Sequence, residues 1–302
     1  LKGKGIARLI AAPFMLAQAL IQSVRILLKV KPDCVLGMGG FVSGPGGLAA
    51  KLTGRKLVIH EQNAVPGFTN KLLAKIANQV FEAFPNTFSQ SKKVIHTGNP
   101  MRKEIAQLAQ RTRSLKEASR PLQILVLGGS QGALAINKVV PELLANWPEE
   151  NRPSTRHQTG DGTLERTQQA YRDRGLVLSK RIDVLPFISN MAEAYIWADL
   201  VICRSGASTV SEIAAAGLPS ILVPYPYHSD HQQKHNANWL VQAGAALLLE
   251  EKDLTVPALK ALLLDLDENR GKLQQMSDMA KAIAIRDADE IIARRCLELI
   301  HA

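Results

Sequence analysis

Leu122-Gln123-Ile124-Leu125-Val126-Leu127-Gly128-Gly129-Ser130-Gln131-Gly132-Ala133-Leu134-Ala135-Ile136-Asn137 is the stretch that decides the fold. An apolar run of strand length meets a glycine turn and then a helical pattern. Glycines let the backbone turn tightly and bare consecutive N–H groups, while the helix N-terminus adds partial positive charge. Such a turn suits phosphate, which makes Gly128, Gly129 and Gly132 candidate phosphate-loop residues. A short glycine turn is also ordinary strand-to-helix chemistry, so taken alone it supports both readings. It is not a dinucleotide fingerprint, because G-x-G-x-x-G and an acid about 20 residues on are both missing.

Outward from this turn the rhythm repeats. Downstream, strands are expected at Ser154 to Gln158, Ile182 to Leu185, Leu200 to Cys203, Ser220 to Val223 and Ala246 to Leu249, with helices between and a long amphipathic helix from Asp287 to His301. Upstream, strands are expected at Cys34 to Leu36, Leu57 to His60, Gln79 to Ala83 and Lys92 to Thr97. Helices are expected near Leu48 to Leu52 and Thr69 to Asn78. Alternation of this kind predicts parallel sheets covered on both faces. Gly98-Asn99-Pro100 interrupts it and the polar run from Arg111 to Arg120 follows, so the chain divides near residue 100.

The charge also divides there. The net charge is +10, yet residues 1–99 hold 13 Lys and Arg against 3 Asp and Glu, leaving 24 against 24 for the rest. The first third therefore expects an anionic partner. Aromatic residues are 5% of the chain and no basic segment interleaves with rings, which ranks nucleic acid below a membrane surface or a phosphorylated substrate. Leu9 to Val24 carries no charge, but it is shorter than the roughly 20 residues a span needs and Pro13, Gln18 and Gln22 interrupt it. Its basic flanks suggest a helix lying on anionic lipid through Ile6, Arg8, Ile10 and Phe14, or a buried crossover helix with solvated ends. Cys34, Cys203 and Cys296 have no paired spacing, so neither a disulfide framework nor a zinc ribbon is expected.

Three further segments carry chemistry. Gly37 to Gly47 has six glycines in eleven positions. It is read as a loop whose backbone approaches a ligand, with Gly39, Gly40 and Gly44 as phosphate-loop candidates. Arg204 to Glu212 again joins a strand to a helix and adds Glu212, a carboxylate able to accept from both hydroxyls of a ribose; a favourably charged helix start is the alternative. His228, His231 and His235 match no metal-ligand spacing, and Gln232 and Gln233 between them suit sugar hydroxyls, so no metal is expected. Asp265-Leu266-Asp267 reads as a solvated acidic face.

Together these segments resemble the MurG family of bacterial UDP-N-acetylglucosamine transferases. The resemblance rests on Gly37-Met38-Gly39-Gly40 with Ser43 to Gly47, His60-Glu61-Gln62-Asn63, Gly98-Asn99-Pro100, Gly128 to Ala133, and Cys203 to Glu212. It implies an α/β fold of two Rossmann-like domains facing across a cleft (GT-B). The acceptor and membrane-associated domain would be 1–99, completed by a helix over 286–302, and the UDP-sugar domain would be 100–285. It implies inverting transfer of N-acetylglucosamine from UDP-GlcNAc to the 4-hydroxyl of the muramyl sugar of lipid I (undecaprenyl-pyrophosphoryl-MurNAc-pentapeptide), with no cofactor, at the cytoplasmic face of the bacterial inner membrane. By motif position, Asn63, Arg102, Ser130, Ile188, the run Ala207, Ser208, Thr209, Val210, Ser211 and Glu212, and Gln232 with Gln233 would contact the donor. The family's Gly-Gly-Thr-Gly-Gly-His loop, with its proposed base, is expected ahead of Leu1, so the chain reads as truncated and its catalytic residue is unassigned. The alternatives are a UDP-sugar-binding fragment without catalysis, a transferase with another lipid acceptor such as diacylglycerol, or a UDP-GlcNAc epimerase.

Overall fold

A computed structural model describes residues 6–110, 115, 120–129, 132–228 and 230–301, with side chains from residue 12 onward. The chain separates into two compact units. One runs to Asn99 and is rejoined by the segment from Asp287; the other is Pro100–Arg286.

The first unit is a parallel sheet in the order β1 (Cys34–Gly37), β2 (Lys56–Glu61), β3 (Gln79–Glu82), β4 (Val94–His96). Its helices are α1 (Ile6–Val30), α2 (Gly40–Leu52), α3 (Phe68–Ile76) and, at the end of the chain, α12 (Ala288–His301). Strand β2 is buried along nearly its whole length, as a strand covered on both faces must be. Leu57 and Ile59 meet Ala50, Leu73 and Val80 on one side, while Val58 and Phe81 meet Ile292 of α12 on the other.

The glycine-rich segment departs from expectation. Only Gly37 to Gly39 lead into α2, which begins at Gly40 and runs through Gly44, Pro45, Gly46 and Gly47. Gly39 and Gly40 take left-handed φ of 81° and 73°, which ends the strand and turns the chain into the helix. Gly47 serves packing. A Cβ at Gly47 would lie 2.7 Å from Cδ2 of Leu73, and one at Gly44 would lie 3.5 Å from Thr69. The missing side chain of Gly47 lets α2 and α3 approach, and this contact offsets its helix cost of about 1 kcal/mol. Gly44 thus lies within a helix rather than in a loop, and a Cβ there would meet Thr69 only at ordinary contact distance.

Helix α1 is largely exposed, with Phe14 75% accessible. Ala12–Val30, 19 residues of mean hydropathy 1.3, is long and apolar enough to cross a membrane by length and composition alone. The uncharged run from Leu9 to Val24 is too short for that, and the difference arises because the helix continues past Arg25 to Val30. The side chains of Ile6, Arg8 and Ile10 lie outside those described.

The second unit is a six-stranded parallel sheet. Its strands are β5 (Gln123–Leu127), β6 (Ser154–Gln158), β7 (Ile182–Leu185), β8 (Leu200–Cys203), β9 (Ser220–Leu222) and β10 (Ala246–Leu248), in the spatial order β10-β9-β8-β5-β6-β7. Its helices are α4 (Lys103–Ala106), α5 (Leu134–Ala145), α6 (Leu164–Arg172), α7 (Met191–Trp197), α8 (Ala207–Ala216), α9 (Gln232–Gln242), α10 (Val256–Glu268) and α11 (Arg270–Ile283). The order reverses between β5 and β8, so their connections leave on opposite sides of the sheet. This is the topological switch point at which open α/β sheets hold ligands. Leu127 pairs with Cys203 in the last rung of that ladder, which sets Gly128 and Arg204 side by side at the strands' carboxyl ends.

Candidate functional site: the switch point of the second unit

The Gly128–Gly132 turn stands on the end of β6. Gly128 N–H donates to the carbonyl of Gln158 at 2.8 Å, and Gly132 N–H to that of Gly129 at 3.1 Å. Gly129 and Gly132 have φ of 72° and 77°, which side chains disfavour. Space alone also excludes a side chain at Gly132, whose Cβ would lie 2.9 Å from the Thr159 carbonyl. Ser130 and Gln131 lie outside the described residues.

Across the switch point, Ser205-Gly206 leads into α8. Ser205, fully buried, donates from Oγ to the Gln233 carbonyl at 2.7 Å, tying this turn to the first turn of α9. The Oε1 of Gln233 accepts the Tyr225 N–H at 2.9 Å. Gln232 and Gln233 open a helix whose preceding residue, His231, has φ 49°, so the histidine segment is a turn and helix start. Among the described residues no group of three or more His, Cys, Asp and Glu is placed to hold a metal.

Within the run from Ala207 to Glu212 the structure divides the roles. Val210 is fully buried and its N–H donates to the Gly206 carbonyl at 2.9 Å. Ser211 is 7% exposed and its hydroxyl donates to the Ala207 carbonyl at 3.0 Å. Ala207, Thr209 and Glu212 are half-buried and Ser208 is exposed. The Oε2 of Glu212 accepts from Tyr195 Oη at 2.9 Å, and its Oε1 lies 3.4 Å from Arg102 Nη2. Burial, and next the neighbouring carboxylate, hold the Tyr195 hydroxyl well above its ordinary value, so it stays a donor. An ionised carboxylate has about four acceptor positions, and two remain after Tyr195 and Arg102. Tyr195, which orients Glu212 from α7, carries no motif and was not anticipated.

Arg102 also borders a pocket of about 370 Å³, lined with Glu104 and Ile105 and, opposite, Ser189 to Ala192. Ile188, 8% exposed, immediately precedes that wall. Asp265 and Asp267 are engaged by Lys272 and Arg270 on α11, so this acidic pair is structural.

In the first unit, Glu61 is 3% exposed and accepts from Asn63 N–H at 3.1 Å, Gly67 N–H at 3.0 Å and Asn70 Nδ2 at 2.8 Å. It fixes the loop that carries Asn63. His60 is fully buried, with Nε2 3.0 Å from the Gly98 carbonyl and Nδ1 2.9 Å from Gln62 Nε2. Burial lowers its pKa, and neither nitrogen is left for a substrate.

A second buried histidine ring, that of His157 on β6, predicts a pH effect. Complete burial pushes its pKa down to about 3, against about 6.5 for an unfolded histidine. The unfolded chain therefore binds the proton first, so the stability due to neutral His157 is full above about 6.5 and is lost as pH falls toward 3. Denaturant midpoints measured across that window should decline for the parent and decline less for His157→Gln; parallel declines would contradict the assignment.

Two parallel α/β units, the second with a glycine turn, Glu212 and Arg102 gathered at its switch point, have the frame of the nucleotide-sugar glycosyltransferase class, to which the comparisons assign the chain. Models of the glycosyltransferase family 28 N-terminal and C-terminal domains match residues 1–82 and 123–292. The UDP-N-acetylglucosamine–N-acetylmuramyl-(pentapeptide) pyrophosphoryl-undecaprenol N-acetylglucosamine transferase of Azotobacter vinelandii is 48% identical over 299 residues, 99% of this chain and 82% of that protein. Its counterpart from Stutzerimonas stutzeri is 48% identical over 301 residues, 100% of this chain and 83% of that protein. The crystal structure of Acinetobacter baumannii MurG superposes with a TM-score of 0.80 at 41% identity, covering 95% of this chain and 80% of that one. The chain belongs to the MurG family of glycosyltransferase family 28. A UDP-GlcNAc 2-epimerase from Neisseria meningitidis, solved with UDP-GlcNAc bound, gives a TM-score of 0.68 at 14% identity, which establishes shared fold alone.

Proposed function

We propose that the chain binds UDP-GlcNAc at the switch point of its second unit and serves the transfer its relatives are named for, from UDP-GlcNAc to the N-acetylmuramyl-(pentapeptide) pyrophosphoryl-undecaprenol acceptor. The observation that carries this reading is the meeting of the Gly128–Gly132 turn, the start of α8 and the Glu212–Arg102 pair beside the paired ends of β5 and β8. Glu212 takes the ribose hydroxyls. Ile188 offers backbone to the uracil beside the pocket at Arg102. The backbone N–H groups of the Gly128–Gly132 turn, with Ser130, and of the Ala207 to Thr209 turn hold the diphosphate, and Gln232 with Gln233 reads the sugar.

The acceptor's 4-hydroxyl attacks the anomeric carbon as the bond to the UDP oxygen breaks, inverting that centre and making lipid II from lipid I. The hydroxyl's proton passes to a general base. Charge grows on the leaving diphosphate, and N–H dipoles already aimed at it, together with Arg102, stabilise it without reorganisation. Incubating the chain with UDP-GlcNAc and a short-chain lipid I analogue and analysing the product by mass spectrometry tests the reading. A disaccharide product supports transfer. Binding without product favours the second reading, a UDP-sugar-binding chain without catalysis. Free N-acetylmannosamine or its UDP form would indicate epimerase chemistry.

The acceptor's polyprenyl chain and the basic first unit fit a peripheral site on the cytoplasmic face of the bacterial inner membrane. Exposed Phe14, Met15 and Leu16 would enter the headgroup boundary, with neighbouring lysines and arginines on anionic lipid. Phe14→Asp is expected to weaken sedimentation with phosphatidylglycerol vesicles several-fold, because it replaces a lipid-buried ring with a charge. Unchanged sedimentation would remove Phe14 from the contact.

A further inference from the structure

Behind the glycine turn lies a chain of uncharged hydrogen bonds that no step above uses. Tyr171 Oη lies 2.9 Å from His157 Nδ1, and His157 Nε2 lies 3.0 Å from Asn137 Oδ1. Asn137 Nδ2 donates to the Thr159 carbonyl and to Thr163 Oγ1, both at 3.0 Å. Thr163 Oγ1 donates in turn to the Thr159 carbonyl at 2.6 Å. Tyr171 and His157 are fully buried and Asn137 is 5% exposed.

Every direction in this chain is determined. A carbonyl only accepts, so the Asn137 amide must present its nitrogen to Thr159 and its oxygen to His157. His157 must therefore carry its proton on Nε2, which leaves Nδ1 to accept from Tyr171. Burial keeps the ring neutral and the Tyr171 hydroxyl protonated, so the order does not change in any ordinary buffer. Donors run one way, from Tyr171 on α6, through β6 and α5, to the carbonyl of Thr159.

That carbonyl is the wall of the turn. A Cβ placed on Gly128 would lie 3.0 Å from it and one on Gly132 2.9 Å, while a Cβ on Gly160 would lie 2.7 Å from Gly132 N. The Thr159-Gly160 backbone and the Gly128–Gly132 turn interlock with no room for a methyl group, so a displacement of one moves the other. A polar chain this buried is costly unless fully satisfied.

We infer that Asn137 and His157 are positioning residues for donor binding: they hold the Thr159-Gly160 backbone, and through it the N–H groups of the glycine turn, in register with the donor's diphosphate. This rests on the proposal that the turn holds the diphosphate.

Calorimetric titration of the full chain with UDP and with uridine separates a loss at the phosphates from a loss at the nucleoside. Asn137→Ala and His157→Leu each leave a buried partner unsatisfied. They are expected to weaken UDP binding about tenfold and leave uridine binding unchanged. His157→Gln, which offers one donor and one acceptor, should recover most of the UDP affinity. Tyr171→Phe removes only the first donor and gives a smaller change of the same sign, which keeps the test open should the harsher variants fail to fold. Variants that melt earlier yet bind UDP like the parent, or that lose UDP and uridine together, would overturn the positioning role. Gly132→Ala is the reference. If it weakens UDP binding while Asn137→Ala does not, the diphosphate reading stands and this inference fails. If Gly132→Ala leaves UDP binding intact, the diphosphate reading itself fails and the inference falls with it.

Discussion

Glu212→Ala is expected to weaken UDP binding roughly a hundredfold, the largest effect of any single side chain at the site. A hydrogen bond to a charged acceptor contributes about 1.5–3 kcal/mol, and the ribose offers two hydroxyls, while about 1.4 kcal/mol is a factor of ten. Two neighbours hold the carboxylate ready for a ribose. Tyr195 secures one oxygen from the buried side, and Arg102 approaches the other from the exposed side. The check is calorimetry with UDP, 2′-deoxy-UDP and 3′-deoxy-UDP. The parent should discriminate against both deoxy ligands, whereas Glu212→Ala should bind all three alike. A variant that keeps its discrimination would show that another group reads the ribose. Tyr195→Phe should produce a weaker version of the same pattern, since it frees the carboxylate without removing it.

The second large effect concerns stability. Asp199, 2% exposed, precedes β8 and accepts from Arg120 at 2.7 and 2.9 Å and from Gln123 N–H at 2.9 Å; Arg270 Nη1 lies 3.8 Å away. Arg270 also donates to the Arg120 carbonyl at 2.8 Å and to Asp267 at 2.6 Å. One carboxylate thereby joins the starts of β5 and β8 to α11. Asp199→Ala would take the carboxylate from Arg120, which is 47% exposed, and from the part-buried N–H of Gln123, while Arg270 keeps Asp267. Leaving a buried donor unsatisfied costs about 1–3 kcal/mol, so thermal denaturation should shift downward by something on the order of 5 °C. The network lies at the amino ends of the strands, away from the ligand end, so UDP affinity below the transition should match the parent. A variant melting with the parent would show that water or Asp267 satisfies the cations instead.

How far these features are legible in the sequence differs between elements. The limits of β5, β6, β7 and β8 are those expected from the chain: β5 and β8 are apolar runs bounded by glycine, proline or charge that the sheet buries on both faces, while β6 and β7 alternate buried with partly exposed residues. Gly40 to Gly47 reads as a loop and folds as a helix. Intrinsic preference argues against a helix there, and the deciding contact, Leu73 against the bare backbone of Gly47, lies 26 positions away in sequence. At the site, motif position points to Glu212 and Arg102, and the fold brings them to 3.4 Å. The same motif includes Val210 and Ser211, but helical geometry turns both inward. Tyr195, Asn137 and His157 escape notice in the sequence since each is a lone polar residue whose partner comes from another element. Their one local signal is a polar side chain at a position whose neighbours' pattern faces the core, and that signal becomes specific only once the partner is known.

Everything proposed for the second unit depends on its being a selective UDP-GlcNAc site. Calorimetric titration of the chain with UDP-GlcNAc, beside UDP-glucose and NAD, tests this most directly. Saturable binding of UDP-GlcNAc is expected, with weaker binding of UDP-glucose, which lacks the acetamido group, and none of NAD. Equal binding of the two UDP-sugars, or no binding of UDP-GlcNAc by a chain whose circular dichroism and cooperative melting show it folded, would contradict it.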